Sequence, residues 1–264
     1  MDNSSKNPQV SVIIRTKNVE KHFFRLLWEL VHQTLKPSEI IVVNNFSSEK
    51  ELKKMNDVVS DFRERCLNNQ IPIIMIPISD NEFSHPFSTN IGVNSAKNEL
   101  VCITNGHSLP ISFSWLSHGI KHFSDPDIAG VSGYFIPYDD GSIWEKIAYG
   151  LVWVKYNEIK KNHRNDKYFS TINCVIRKSL WKKYPFDENF PEIFPEAKIY
   201  GGEDYDWARE MTARGYSIVV DPKFNVYHSH NYKLPKIIAS NLIWYLLQRK
   251  IGSFKRPRKS YSRL

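Results

Sequence analysis

Five polar segments carry residue types that could do chemistry. In Ile103-Thr104-Asn105-Gly106-His107-Ser108, an amide and an imidazole stand two residues apart. In an extended turn, residues i and i+2 point the same way, so Asn105 and His107 could offer oxygen and nitrogen ligands to a borderline divalent metal. The plainer alternative is a tight turn with a surface histidine. His228-Ser229-His230 is a second metal-capable pair, since neutral imidazoles suit Mn, Zn or Fe. Two ordinary surface or capping histidines would give the same letters. Gly201-Gly202-Glu203-Asp204 opens a helical pattern. Acids there are favoured by the helix dipole alone. They are also placed to act as a general base on a hydroxyl, with the glycines allowing close approach. Finally, Arg15-Thr16-Lys17-Asn18 and Asn44-Asn45-Phe46-Ser47-Ser48 gather donors, acceptors and cations suited to a polar, phosphate-bearing ligand. Asn and Ser also simply make turns.

The elements that must position these segments are legible from apolar patterning. Residues 10–14, 40–43, 71–78 and 100–104 are short apolar runs, and helical spacing fills 20–33, 49–66 and 87–96 between them. Continuous apolar strands alternating with amphipathic helices predict a parallel sheet covered on both faces. Right-handed crossovers would put every strand's C-terminal end on one edge, where open α/β sheets bind ligands. The polar segments after residues 14, 43 and 104 all fall there. The second half is less regular, with strands expected at 128–136, 170–177 and 217–220 and helices at 144–161 and 203–214.

Composition narrows the partners. The chain has 264 residues with 36 Lys and Arg against 28 Asp and Glu, a net charge of +8 that favours an anionic partner. Nucleic acid is set aside, because no RNA-binding signature appears and the charge is not concentrated in the globular part. No apolar run reaches the roughly 20 residues of a spanning helix, and the polar start does not resemble a secretory signal. Three scattered cysteines do not make a disulfide framework, and Cys102, in an apolar run, is expected to be buried and reduced. From Pro235 the chain changes character: an apolar patch at 242–247 precedes Arg249, Lys250, Lys255, Arg256, Arg258, Lys259 and Arg263. Such a segment can lie on an anionic membrane surface or dock on the core with a solvated basic end.

Taken as an ordered set, the motifs resemble family 2 glycosyltransferases of the GT-A fold. The match runs through Val10-Ser11-Val12-Ile13-Ile14-Arg15-Thr16-Lys17-Asn18, then residues 30–33, then Glu39-Ile40-Ile41-Val42-Val43-Asn44-Asn45-Phe46-Ser47-Ser48. Asn90 and Gly92 resemble the family's NxG helix. Asn105-Gly106-His107 stands where the family carries an Asp-x-Asp metal and diphosphate motif. Glu203-Asp204-Tyr205-Asp206-Trp207 resembles the ED motif, whose Asp is usually the base. His228-Ser229-His230 resembles the histidine motif of a rhamnosyltransferase-like branch.

The resemblance implies an α/β fold: a GT-A-type, Rossmann-like, mostly parallel sheet flanked by helices on both faces, with a C-terminal helical tail. It implies a transferase domain over 1–232, with a nucleotide-binding half at about 9–110 and an acceptor half at about 111–232, and a basic tail at 233–264. The activity implied is inverting transfer from a nucleotide-diphosphate sugar to a hydroxyl of a glycan or lipid-linked acceptor, in cell-surface glycan assembly. The alternative is a catalytically degenerate domain that binds a nucleotide sugar or partner without turnover. Implied donor contacts are Arg15, Thr16, Lys17, Asn18, Asn44, Asn45, Ser47, Asn90, Asn105, Gly106 and His107. Asp204 with Glu203 would be catalytic. Tyr205 and Trp207 would face the acceptor, although Trp207 also reads as core. Asn105, His107, His228 and His230 would hold the metal. Asn and His in place of two aspartates favour Mn²⁺ over Mg²⁺, and metal-free catalysis stays open. The expected location is cytoplasmic, peripheral on the inner face of the cell membrane.

Overall fold

The computed structural model describes residues 8–66, 70–159, 166–253 and 259–264. In chain order the elements are β1 (Val10–Lys17), α1 (Phe23–Val31), β2 (Glu39–Phe46), α2 (Glu49–Arg65), β3 (Ile73–Ser79), α3 (His85–Ser95), β4 (Leu100–Asn105), β5 (Leu109–Pro110) and α4 (Trp115–Ile120). Then come β6 (Ile128–Ser132), β7 (Phe135–Ile136), α5 (Ile143–Ile159), β8 (Asn173–Arg177), α6 (Lys178–Lys183), α7 (Phe190–Ile193), α8 (Ala197–Tyr200), α9 (Glu203–Ala213), β9 (Ser217–Val220), β10 (Val226–Tyr227) and α10 (Leu234–Ser253).

The central sheet has seven strands in the order β3-β2-β1-β4-β8-β6-β9. Every neighbouring pair is parallel except those made by β8, which runs antiparallel to both β4 and β6. Alternation along β1 shows why both faces need cover. Val10, Val12 and Ile14 join one core with α1, α2 and α4, through Leu26, Leu27, Phe62 and Trp115. Ile13 points the other way, into a second core with Phe87 of α3, Trp181 of α6 and Trp207 of α9. A strand buried on both sides carries no polar alternation, so its sequence is a continuous apolar run. Helix starts follow local chemistry: the Ser48 side chain accepts from Glu51 N–H ahead of α2, and that of Ser84 accepts from Phe87 N–H ahead of α3.

Two expectations change. The run at 128–136 is two strands in different sheets, not one. A Cβ at Gly133 would lie 1.5 Å from the carbonyl oxygen of Phe224, so the backbones meet there at a distance that only glycine allows. β8 also reverses the rule that every strand ends on one edge. It has the same apolar run as its neighbours, and nothing in that pattern encodes direction. The helix expected at 144–161 spans Ile143–Ile159, and its last two expected residues lie outside the described set. Cys102 is buried with a free thiol, as is Cys174.

The second, three-stranded sheet, β5-β10-β7, matters most for the site. Tyr227 pairs with Leu109 in antiparallel register. That pairing brings the residues just before β5 beside those just after β10, which are His107 and His228.

The basic tail is not detached. Leu247 and Ile251 of α10 are buried against Phe190, Phe194 and Tyr205. The Arg209 guanidinium donates to the Ile251 and Gly252 carbonyls at its end. Arg263 pairs with Glu188 at 2.9 Å, and Lys250 with Glu196. Lys255, Arg256 and Arg258 lie outside the described residues. No helix among the described residues is long and apolar enough to cross a membrane.

Candidate active site

A cavity of about 350 Å³ opens at the C-terminal edge of β1, β2 and β4. Arg15, Thr16, Lys17, Asn45, Asn105, His107, Glu203, Asp204, His228 and His230 all line it. Segments as far apart in sequence as Arg15 and His230 therefore converge on one space.

Arg15 forms the floor. Its guanidinium donates to Thr89 Oγ1 at 2.8 Å, Thr171 Oγ1 at 3.1 Å and Asn105 Oδ1 at 3.2 Å. Burial pushes its pKa down, while the nearby carboxylates of Glu203 and Asp204 push it back up. An arginine stays cationic through such shifts.

Glu203 and Asp204 open α9 after Gly201 and Gly202, whose φ values of +69° and +116° are open to glycine and costly for other residues. Asp204 Oδ2 accepts from the Thr171 N–H at 3.0 Å, and Oδ1 accepts from the Tyr205 N–H at 2.7 Å. Glu203 Oε2 is buried without a hydrogen-bond partner among the described residues. Burial raises the pKa of both acids, and for Glu203 the adjacent Asp204 adds to the rise. A carboxylate pushed toward neutrality is a better proton acceptor than an ordinary one.

The histidines form the opposite chemistry. One nitrogen from each of His107, His228 and His230 lies within 4.8 Å of the other two. His228 Nε2 and His230 Nε2 are 3.1 Å apart, and the His107 and His228 rings stack with centroids 4.4 Å apart. Ser108 Oγ sits 2.9 Å from His228 Nδ1 and Glu20 contacts His107 Nδ1, so the far nitrogens are left to face one another. Burial first, and then the neighbouring imidazoles, holds the His228 pKa well below the usual histidine range; burial and His107 lower that of His230. The cluster is therefore a set of converging nitrogen donors with polar groups orienting His107 and His228 from behind. That fits a borderline divalent cation, whose ligands sit about 2.1 Å from the ion and just over 3 Å from each other. Asn105 does not complete this set, because its Oδ1 faces Arg15.

Several expected contacts are elsewhere. Asn44, on β2, is fully buried with neither side-chain atom bonded among the described residues, and it is off the cavity wall. Asn90 is also fully buried: it donates to the Phe186 carbonyl at 2.8 Å and accepts from Trp181 Nε1 at 2.9 Å, which ties α3 to the chain after α6. Asn18 and Ser47 bond each other outside the cavity, clasping the loops after β1 and β2. Gly106 does not line the cavity either; its N–H donates to the Arg15 carbonyl at 2.8 Å. Asn45 reaches the cavity while donating to the Ile78 carbonyl at 3.4 Å. Trp207 is wholly buried, stacked on Phe169 at 5.2 Å, and Tyr205 packs toward α10 beneath Arg209. Neither can face an acceptor, because the turn of α9 that exposes Asp204 directs both into packed interfaces.

Other residues came to light only in three dimensions. Thr171, on the loop before β8, holds Asp204. Glu20 orients His107. Glu145 of α5 accepts the backbone N–H groups of His230, Asn231 and Tyr232 and so fixes the histidine loop. The Ser170-Thr171 pair just ahead of a strand is a local signal for a turn. Glu145 is 85 positions from its partner and carries no such signal.

The layered sheet, with a ligand cavity at its parallel edge, is that of a GT-A glycosyltransferase. The sequence profile of Glycosyl transferase family 2 matches residues 11–186, and the chain belongs to that family. It is a glycosyl-transfer enzyme by that membership. It is similar to the O-antigen chain rhamnosyltransferase RfbN of Salmonella typhimurium, with 22% identity over 226 residues, covering 85% of this chain and 67% of that protein. Its fold is similar to that of the mannosyltransferase PcManGT from Pyrobaculum calidifontis, solved with GDP-Man and Mn²⁺: TM-score 0.67, 17% identity, covering 96% of this chain and 67% of the other. It also resembles S. aureus TarS solved with UDP-GlcNAc, with TM-score 0.58 and 16% identity over 85% of this chain and 59% of that one.

Proposed function

We propose that the chain is an inverting glycosyltransferase. It moves a sugar from a nucleotide-diphosphate donor to a hydroxyl of a glycan or lipid-linked acceptor, in cell-surface glycan assembly. The observation that carries this reading is one cavity holding a cationic floor, three converging imidazoles and a buried carboxylate pair. Arg15 and Lys17 bind the diphosphate, and Thr16 and Asn45 contact the nucleoside.

Asp204 accepts the acceptor's hydroxyl proton. As it does so, the acceptor oxygen bonds to the anomeric carbon, and the bond from that carbon to the β-phosphate oxygen breaks. Negative charge grows on the leaving phosphate, so fixed positive groups there lower the barrier. Glu203 stands beside Asp204 at the start of α9, and burial raises the basicity of Asp204. A divalent cation held by His107, His228 and His230, Mn²⁺ in preference to Mg²⁺, would supply further charge against the diphosphate when bound. Without it, Arg15 and Lys17 would carry that task alone.

A peripheral site on the cytoplasmic face of the membrane fits the surface of α10. Leu234, Ile238, Leu242, Tyr245 and Leu246 are exposed there, in a segment that also bears Lys233, Lys236 and Arg249.

A thermal-shift panel of GDP, UDP and dTDP, each with and without Mn²⁺, tests the site. One nucleotide at 100 times its Kd should stabilise by about 2.7 kcal/mol, a rise of about 5–10 °C. Mn²⁺ should enlarge the rise, and His228→Ala should remove that increment. No rise with any nucleotide would overturn the proposal.

A further inference from the structure

A second cavity, of about 470 Å³, opens beside the first between α5 and α10. Its wall is aromatic, carrying Tyr134, Tyr149, Tyr168, Tyr200 and Trp244, with the Asn241 amide among them. The two cavities share Ser170, Ile172, Tyr200 and Asp204, so the proposed base is the carboxylate that stands in both. The Ser240 hydroxyl on the same wall is buried without a hydrogen-bond partner among the described residues. Among the described residues, Lys167 is the wall's only charged group besides Asp204.

We propose that this groove seats the acceptor, and that the acceptor is a neutral glycan whose sugar rings stack on the aromatic faces. The reading rests on the glycosyl-transfer function proposed above. Three features support it. A base must meet the donor's anomeric carbon from one side and the acceptor hydroxyl from the other, and Asp204 is open to both spaces. Aromatic faces suit the C–H faces of sugars, while amide and hydroxyl groups between them suit ring hydroxyls. A wall with a single cation is a poor seat for a phosphorylated or strongly acidic acceptor. The groove depends on α10, because Ser240, Asn241 and Trp244 all belong to it. The C-terminal helix thus determines specificity for the acceptor while leaving donor contacts alone.

The test measures donor hydrolysis and sugar transfer side by side. Donors are UDP-glucose, GDP-mannose and dTDP-rhamnose; acceptors are the methyl glycosides of glucose, galactose, mannose and rhamnose, each repeated as the octyl glycoside. Tyr149→Ala should raise the acceptor KM about tenfold, the value of one lost aromatic contact. Trp244→Ala should raise it as much, and Trp244→Phe should restore most of the loss. Donor KM and transfer to water should stay within about twofold of wild type. Trp244 also packs beside Leu247, so Asn241→Ala joins Tyr149→Ala as a variant that spares the core. Unchanged acceptor KM in both of those variants would overturn the groove, as would donor hydrolysis falling in step with transfer. If wild type neither hydrolyses nor transfers any donor, the function falls, and the groove with it. A lower KM for octyl than for methyl glycosides sustains the groove with a lipid-linked acceptor; equal values sustain it with a free glycan strand.

Discussion

Asp204→Asn isolates the base. The substitution keeps shape and removes charge, and the structure sets what else it changes. Asp204 accepts from Thr171 through one oxygen and from Tyr205 N–H through the other. An asparagine has a single acceptor oxygen, so one of those N–H groups will face an NH₂ donor. An unmet buried donor costs about 1–3 kcal/mol. The variant also relieves the burial of a charge that already lifts the Asp204 pKa. These terms oppose, so the melting temperature should move by only a few degrees. The catalytic term has no such offset. A positioned general base contributes roughly 10²–10⁴ in rate, or about 3–5.5 kcal/mol at 1.36 kcal/mol per tenfold. Transfer by the variant should therefore fall by at least about a hundredfold. Nucleotide binding should hold, because the proposed phosphate contacts come from Arg15 and Lys17. The assay is initial-rate transfer from a saturating donor, with nucleotide affinity followed by thermal shift. In wild type the rate should rise with pH as the raised carboxylate loses its proton, and the variant should lack that limb. Turnover within a few-fold of wild type, with the pH limb intact, would show that some other group takes the proton.

Glu203→Gln should stabilise the free protein at neutral and higher pH. The Glu203 pKa is raised by burial and by Asp204, so its favourable contribution is complete in acid and is lost as pH rises through the folded value. The gain over wild type should thus be largest at pH 8 and vanish near pH 4, read as melting temperature at about 2–4 °C per kcal/mol; equal curves at every pH would refute it. On the surface, Ile238→Ser with Leu242→Ser, both more than half exposed, should reduce co-sedimentation with phosphatidylserine vesicles. Neither protein should bind phosphatidylcholine alone, and identical binding of wild type and variant to the anionic vesicles would end the membrane reading.

The first half of the fold was legible because its strands are buried on both faces and so spell themselves as unbroken apolar runs. Strand direction was not, and β8 shows why: Asn173–Arg177 pairs antiparallel with β4 through the same kind of residues that pair parallel elsewhere. The break after Ser132 depended on a backbone contact with Phe224, some ninety positions away, which no local pattern contains. In the site, topology alone put Arg15, Thr16, Lys17, Asn45, Asn105 and His107 at the cavity, but not Asn18, Ser47 or Gly106. His107 and His228 met because β5 pairs with β10, a register that two-residue strands cannot announce. Asn44 and Asn90 misled for one reason: an amide in a polar motif looks like a ligand contact until burial shows it held inside the protein. Glu145, Glu20 and Thr171 support the reacting groups from distant segments, and their types are ordinary where they stand.

Gly202, ahead of the proposed base, lies under Ile251 and Leu247 of the last helix, and Arg209 fastens that helix's end to α9. Cropping the chain ahead of residue 234, an obvious way to ask whether the basic end tethers the protein, would strip the lid from the hinge that aims the carboxylate. A crippled truncation would then say nothing about tethering. Only point changes on the outward side of α10 keep the two questions apart.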